Sequence, residues 1–460
     1  MKAISTISAI YLILITSHVF GENLSPELSA RLQYVSHKEH ISVIVHMADQ
    51  ADLNAATQSI IERKKALQSR NVIRALQTTS TKTQKDLIAF LEKEKAFGTV
   101  IDYTSFWIFN GLCLTASPEV IKKIALRNDI DIISEDLPIL PPILHPSISL
   151  QPNPYYTWNI ERIRAPEVWD MGYDGSGVVV GILDTGVDYT HPDLAEKYRG
   201  GDNSWFDPFG EHDQPYDYDG HGTHVTGTIV GGNSIGKYIG VAPGVQWIAA
   251  RLWNDAGEDA NISEAHKIFQ WFMDPDGDPD TDDAPDIVNN SWSLDKLFNI
   301  FPYCNTELRD DIHAWRMAGI IPVFSAGNAG PFFFTGDSPA NYPETIAVGA
   351  TDFFDITFLM SSRGPNNCNL SIFPNISAPG VAILSSFTDS DYAYMSGTSL
   401  AAPHVVGTIA LMLDVNPNLN FEEIESTLKA TAKPLGLFHP NNIYGWGRVD
   451  ALEAVKAVIP

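Results

Sequence analysis

The feature that most constrains the fold is a continuous apolar run, residues 177–183, which ends at Asp184. A run without polar interruptions is typical of a strand that is buried on both faces, as in a parallel sheet. Two further apolar segments end in polar side chains, at residues 289–291 and 325–328. Ligand sites of open α/β sheets lie at the carboxyl ends of the strands. The chain after Trp158 therefore predicts an α/β domain with a mostly parallel central sheet flanked by helices.

A serine precedes a long apolar helix in residues 396–407, which read S-G-T-S-L-A-A-P-H-V-V-G. The apolar residues after Ser399 suit a buried helix, so this serine is expected at a helix N-terminus. Free backbone N–H groups and the helix dipole favour negative charge there. Gly397 lets another group pass close to the backbone. His404, inside the apolar helix, is interpreted as a core histidine.

Three other polar residues complete a set that can activate this serine. Asp184 stands in D-T-G-V-D, and His221 stands in D-G-H-G-T-H. With Ser399 as nucleophile, His221 can act as base, and Asp184 can orient the imidazole. Asn328, in S-A-G-N-A-G, can donate an amide hydrogen bond to an oxyanion beside the Ser399 N–H. His224, three residues after His221, is interpreted as a packing residue.

These motifs, in the order Asp–His–Ser, resemble the subtilisin-like (subtilase) serine peptidases. S-A-G-N-A-G-P resembles the segment that carries the oxyanion asparagine, and Y-G-W-G-R-V-D-A is similar to a further family segment. V-N-N-S-W and P-A-N-Y-P-E-T-I-A-V-G-A-T-D look closest to the bacillopeptidase F type. The resemblance covers nearly everything after residue 157. It implies a subtilisin-like fold, endopeptidase activity on protein or peptide substrates, and no cofactor for catalysis.

The chain divides into three predicted segments. Residues 1–21 contain Lys2 and a short apolar run, which is typical of a secretory signal peptide. Residues 22–150 predict a small α+β domain that ends in a proline-rich linker, and residues 151–460 predict the catalytic domain. No later stretch is expected to reach the length of a transmembrane helix. We therefore predict secretion to the extracellular space, with the periplasm or cell surface as alternatives.

The predicted first domain has alternating apolar residues at 41–47, helical patterns at 54–76 and 82–96, and short strands at 112–115 and 130–133. The resemblance implies that this domain is an inhibitor-like propeptide. It would act as a chaperone and intramolecular inhibitor until the enzyme removes it by self-cleavage. A free-standing binding domain is the alternative.

The formal net charge is -26, and residues after 150 carry nearly all of it. Such an acidic surface argues against nucleic acid or an anionic membrane as a partner, and we expect a monomer. Asp193 and Asn233 resemble ligands of a family calcium site, so structural calcium is predicted there. Residues 274–283 read D-P-D-G-D-P-D-T-D-D but fail the EF-hand pattern at Pro279. A metal site and a solvated acidic loop both stay open for this segment.

Three cysteines are present, Cys113, Cys304 and Cys368. If the first domain is removed in an oxidising compartment, Cys304 and Cys368 can pair. Two buried free thiols are the alternative, and the spacing does not distinguish the two.

The resemblance also implies a substrate-binding cleft at two strand ends. Ser293 stands where the family usually has glycine, which would narrow the first specificity pocket. Ala329 follows Asn328, so no acidic group there attracts a basic P1 side chain, and an apolar P1 residue is predicted. The expected substrate-binding residues are Ser291, Trp292, Ser293, Ser325, Ala326 and Gly327.

Three other functions are alternatives to the peptidase. An esterase or lipase with a G-x-S-x-G elbow would need glycine where the chain has Ala401. An inactive binding or adhesion protein on a protease fold would be expected to lose members of the catalytic set, and all are present. A proprotein-processing peptidase differs only in the chemistry of its specificity pocket.

Overall fold

A computed structural model describes residues 23–58, 65–147, 153–258, 260–294 and 304–460. The predicted signal peptide and residues 148–152 of the predicted linker lie outside this part of the chain. The described chain forms two compact units. The first contains the described residues up to Ala48, with Asp86–Thr104 and Leu112–Glu135. The second contains Asp49–Lys85, Ser105–Gly111 and Asp136–Pro460.

The elements are numbered in chain order. The helices are α1 (Pro26–Arg31), α2 (Leu53–Gln58), α3 (Lys65–Thr83), α4 (Lys85–Ala96), α5 (Pro118–Ile124), α6 (Trp158–Arg162), α7 (Ala165–Trp169), α8 (His221–Val230), α9 (Ile262–Met273), α10 (Arg309–Ala318), α11 (Thr398–Val415), α12 (Phe421–Thr431) and α13 (Ala451–Val458). The strands are β1 (Ile41–Met47), β2 (Val100–Phe106), β3 (Gly111–Ala116), β4 (Ile130–Glu135), β5 (Pro138–Ile139), β6 (Val179–Asp184), β7 (Trp205–Phe206), β8 (Gln246–Arg251), β9 (Ala260–Asn261), β10 (Ile287–Asn290), β11 (Ile321–Ser325), β12 (Ile346–Thr351), β13 (Ile376–Pro379), β14 (Ile383–Phe387) and β15 (Asp391–Met395).

The first unit is built on a four-stranded sheet in the order β2-β3-β1-β4, in which β1 and β4 run antiparallel. Alternate residues of β1, such as Val43 and Val45, are fully buried in its core with Leu87 and Leu91 of α4. The strands predicted at 41–47, 112–115 and 130–133 are confirmed. The helical pattern predicted for 54–76 corresponds to α2 and α3, which belong to the second unit.

The second unit is built on a seven-stranded sheet in the order β13-β12-β11-β10-β6-β8-β7. Its strand pairs run parallel, which confirms the predicted α/β architecture. In β10, Asn290 is level with Leu183 of β6 and Phe324 of β11. Because the three strands end together, the residues that follow them meet at one edge of the sheet.

Helix α11 lies in the core of the second unit, where its residues from Thr398 to Leu413 are buried. The expectation that no later stretch approaches transmembrane length is wrong for this helix. Among the described residues, α11 alone is long and apolar enough to cross a membrane, with a mean hydropathy of 1.4 over 18 residues. Its apolar character has another cause, since 89% of the window is buried inside the fold.

Cys304 and Cys368 are joined by a disulfide, with their Cα atoms 5.0 Å apart. Of the two alternatives that the sequence left open, the structure therefore has the pair. The bond ties the chain before α10 to the loop before β13.

The two compact units divide the chain differently from the predicted boundary near residue 150. Residues 49–58, 65–85, 105–111 and 136–147 belong to the unit of the large sheet rather than to that of the four-stranded one. Packing does not decide where a chain is cut, so the boundary of the propeptide stays a prediction.

Candidate active site

Asp184 and His221 form a buried hydrogen-bonded pair at the edge of the large sheet. His221 Nδ1 lies 2.7 Å from Asp184 Oδ1, and both side chains are 1% exposed. Asp184 ends β6, and His221 begins α8. The start of α8 lies close to the turn after β6, and this close contact requires glycine at position 222. A Cβ on Gly222 would lie 2.0 Å from the backbone oxygen of Gly186. The sequence G-H-G therefore allows α8 to start against the turn that follows Asp184.

The environment of His221 suits a general base. Burial lowers the pKa of its imidazole, but the charge and hydrogen bond of Asp184 raise it, and the net pKa is raised. Asp184 therefore stabilises the imidazolium that forms when His221 accepts a proton. The other ring nitrogen, Nε2, is buried and has no hydrogen-bond partner within the described part of the chain.

Ser399 lies in the first turn of α11, where backbone N–H groups have no partner inside the helix. Its side chain converges with the amide of Asn328. A Cβ placed on Gly397 would lie 3.0 Å from Ser399 Oγ and 3.4 Å from Asn328 Nδ2. The space kept open by Gly397 is thus bordered by a hydroxyl and an amide nitrogen.

The orientation of Asn328 is fixed by the start of α11. Its Oδ1 accepts hydrogen bonds from the Thr398 N–H and the Thr398 hydroxyl, both at 3.0 Å. Because Asn328 Oδ1 faces the two Thr398 donors, the Nδ2 group of the same amide points away from Thr398 and can donate to another acceptor. Together with the Ser399 N–H, it can stabilise an oxyanion.

A cleft runs past Ser399 along the ends of β10 and β11. Five of the six predicted substrate-binding residues line it, namely Ser291, Trp292, Ser293, Ser325 and Gly327. Ala326 does not line the cleft and is fully buried, because consecutive residues at the end of a strand face opposite sides. Asp337 and Met360 also line the cleft, and no motif in the sequence predicted either of them.

Residues from the segment before residue 148 form part of the wall of the same cleft. Leu140, Pro141, Pro142, Ile143 and His145 line it together with Ser399. The segment is held by backbone hydrogen bonds, from Ser396 N–H to the His145 oxygen at 3.0 Å and from Ser147 N–H to the Tyr394 oxygen at 2.8 Å.

Upstream, the same segment is fixed to the start of α9. Strand β5 pairs antiparallel with β9, and Trp253 Nε1 donates to the Ile139 oxygen at 2.8 Å. Asp136 accepts hydrogen bonds from the Ser263 N–H at 3.0 Å and the Ser263 hydroxyl at 2.9 Å, in the first turn of α9. Residues 136–147 therefore cross the cleft in an extended, hydrogen-bonded form.

The predicted calcium ligands have protein partners of their own. Asp193 is 4% exposed, and it accepts hydrogen bonds from the Ser234 N–H at 2.8 Å and the Tyr392 hydroxyl at 2.6 Å. Asn233 is exposed in the adjacent loop. The carboxylate of Asp193 thus connects its own loop with the loop of Ser234 and with β15. Calcium at this place stays a prediction.

His224 and His404, which were predicted to be core residues, are fully buried. His224 Nε2 lies 3.0 Å from the Ala393 oxygen, and His404 Nδ1 lies 2.8 Å from the Leu400 oxygen. Burial lowers the pKa of His224 to about 3 and that of His404 to about 4, so both are neutral at pH 7.

Comparison with known sequences agrees with this geometry. A sequence model of the subtilase family matches residues 175–447. The chain is 36% identical to bacillopeptidase F of Bacillus subtilis over 95% of its own length, and it spans 33% of that relative. It is 33% identical to an alkaline protease of Alkalihalobacillus alcalophilus, with 75% of the chain and 79% of the relative covered. It is 35% identical to subtilisin BL of Lederbergia lenta, with 65% of the chain and 98% of the relative covered.

Proposed function

The chain belongs to the subtilase family of serine peptidases, and on this premise we propose that it is an endopeptidase acting through Asp184, His221, Ser399 and Asn328. The observation that carries the proposal is the buried Asp184–His221 pair at 2.7 Å, which is arranged at the same sheet edge as the first turn of α11. His221 Nε2 has no other partner in the described chain and is available to the nucleophile.

In the proposed reaction, His221 Nε2 takes the proton of the Ser399 hydroxyl as Oγ attacks the carbonyl carbon of the substrate. Asp184 holds Nδ1–H and stabilises the imidazolium. The tetrahedral intermediate collapses to an acyl-enzyme, while His221 passes the proton to the leaving amine. Water, activated by the same base, then releases the acyl group and regenerates Ser399.

We predict that Asn328→Ala lowers kcat by roughly 10²–10³ with little change in KM, the size known for the corresponding change in subtilisin, a member of this family. The oxyanion forms only during the reaction, so its donor acts on the transition state selectively. Steady-state kinetics on a fluorogenic peptide measures this. Asn418→Ala, at an exposed asparagine, is the control and should retain wild-type kcat. A raised KM with unchanged kcat would make Asn328 a binding residue instead.

We propose that residues 1–21 direct secretion and that residues 22 to about 150 form a propeptide. Contacts inside the second unit attach part of this proposed propeptide to the large sheet and its helices. In α3, Lys65 Nζ lies 2.7 Å from Asp286 Oδ1, and Gln68 Nε2 donates to the Met317 oxygen at 2.7 Å. Residues 140–143 and His145 line the cleft together with Ser399, which would restrict the access of other substrates. The enzyme is proposed to be extracellular and monomeric once mature.

For the mature enzyme we predict faster cleavage after apolar P1 residues than after Arg or Lys. The prediction rests on Ala329 and on the absence of a carboxylate in residues 325–331. It is measured as kcat/KM for matched fluorogenic peptides that differ only at P1. A strong preference for Arg or Lys would contradict it.

One observation favours the processing peptidase as a second candidate. Asp337, which is 4% exposed, lines the cleft with Gly327 and Asn328. A carboxylate in a specificity pocket attracts a basic side chain. The same peptides tested on Asp337→Asn separate the two functions. For the processing peptidase, this variant would lose most of a preference for Arg, whereas for the apolar pocket the ranking of peptides would stay as in wild type.

A further inference from the structure

Outside the cleft, a group of three carboxylates lies in the loop of residues 274–283, between α9 and β10. Asp274, Asp276 and Asp283 each bring a carboxylate oxygen into a group whose members lie within 4.8 Å of one another. One cation can bridge oxygens at this separation, because two Ca²⁺–oxygen bonds together span up to about 5 Å. The sequence had left this loop open as a metal site or a solvated loop.

The carboxylate of Asp274 is buried, which is not expected for an aspartate in a solvated loop. Asp274 is only 9% exposed, and its Oδ1 is buried without a hydrogen-bond partner within the described residues. A buried ionised oxygen without a partner is strongly unfavourable. The carboxylates of Asp276 and Asp283 lie close enough to repel an ionised Asp274. A bound cation would remove both the desolvation cost and the repulsion.

The other two carboxylates are held in position by the loop itself. Asp283 Oδ2 accepts hydrogen bonds from the Asp276 N–H at 2.9 Å and from Asn203 Nδ2 at 3.0 Å. Asp276 Oδ1 accepts from the Asp278 N–H at 2.9 Å and the Thr281 hydroxyl at 3.1 Å. These bonds engage one oxygen of each carboxylate and fix the direction of the other.

Two arginines near the loop donate hydrogen bonds to it, but not to the three grouped carboxylates. Arg199 Nη1 donates to the backbone oxygen of Asp283 at 2.6 Å. Arg74 Nη2 donates to both carboxylate oxygens of Asp280, at 2.8 and 2.7 Å, outside the group of three. The contacts of both arginines therefore stabilise the path of the loop, and they do not involve the three grouped carboxylates.

We propose that the loop binds one Ca²⁺ through Asp274, Asp276 and Asp283. All three side chains offer oxygen, which suits a hard cation. Ca²⁺ accepts six to eight oxygens in irregular geometry, so water can complete the shell on the side of the exposed Asp276. Mg²⁺ needs a near-octahedral shell and is therefore expected to bind more weakly. The site lies in a different loop from Asp193 and Asn233.

The test is calorimetric titration of Ca²⁺ into the full chain, after removal of metal with EDTA, in a Ser399→Ala background that limits proteolysis. Asp276→Asn should weaken binding at this site by about tenfold or more, because it removes a charged ligand. The asparagine can still accept the two hydrogen bonds that hold the loop. The control, Asp282→Asn, removes the same charge from an exposed position outside the group. The affinity of this variant for Ca²⁺ should stay within about threefold of that of wild type.

Thermal unfolding gives a second readout. Ca²⁺ should raise the Tm of wild type and of Asp282→Asn, and raise it less in Asp276→Asn. Equal Ca²⁺ isotherms and equal Tm shifts for the two variants would overturn the site. Equal affinity for Mg²⁺ would overturn its assignment to calcium. Because every readout is binding or stability, failure here is distinct from failure of the proposed peptidase activity.

Discussion

Ser399→Ala is expected to reduce kcat for peptide hydrolysis by about 10⁶-fold, the size known for the catalytic serine of subtilisin, a relative in this family. The variant lacks the oxygen that forms the acyl-enzyme, so only the oxyanion donors and substrate binding remain. His221→Ala should be about as severe, and the double variant little worse than either, because the residues act as a unit.

The measurement is single-turnover hydrolysis of a fluorogenic peptide, combined with labelling by a fluorophosphonate. Wild type should carry the label on Ser399, and Ser399→Ala should not be labelled. Ser426→Ala, at an exposed serine of α12, is the matched control and should keep full activity. Substantial hydrolysis by Ser399→Ala, or a label on another serine, would contradict the assignment of the nucleophile.

The sheet and its catalytic edge could be predicted because their signals are local. The apolar run at 177–183 has no polar residue to face solvent, so it indicates a doubly buried strand, and the structure has β6 there. The rule that polar residues after parallel strands meet at one edge then brings Asp184 and Asn328 toward the same place. Helix α11 could be predicted in the same way, because the residues after Ser399 are nearly all apolar.

The lining of the cleft could not be predicted as well, because it depends on side-chain direction and on the path of loops. Ala326 lies between two lining residues but faces the interior, where its N–H donates to the Val348 oxygen at 2.9 Å. Asp337 reaches the cleft only through the fold of the loop after Asn328. Its approach is visible at Gly327, where a Cβ would lie 3.3 Å from Asp337 Oδ2.

The acidic loop illustrates the same limit. Its sequence shows many aspartates, but composition does not tell which carboxylate is buried. In the structure Asp274 is the C-cap residue of α9 and is buried, whereas Asp276 and Asp282 are exposed. Burial of one member changes the balance, because water stabilises a solvated carboxylate, whereas a buried carboxylate oxygen without a hydrogen-bond donor is stabilised by a cation.

Maturation offers the other prediction with an all-or-none outcome. Residues 140–143 and His145 already line the cleft together with Ser399. The backbone of this segment is bonded to Tyr394 and Ser396, only a few residues before the serine. Holding a peptide next to the nucleophile in this way raises its effective concentration strongly. We therefore expect the enzyme to cut its own chain in the proline-rich linker.

Expression in a host that lacks other proteases tests this directly. Wild type should yield a product shorter by about 150 residues, with a new N-terminus within the linker, whereas Ser399→Ala should accumulate the full proform. Asn328→Ala should mature slowly, because the same oxyanion donor serves the internal cut. Electrophoresis and mass spectrometry of the products measure all three. If Ser399→Ala matured at the wild-type rate in that host, self-cleavage would be wrong, and the linker in the cleft would have to be an inhibitor that another protease removes.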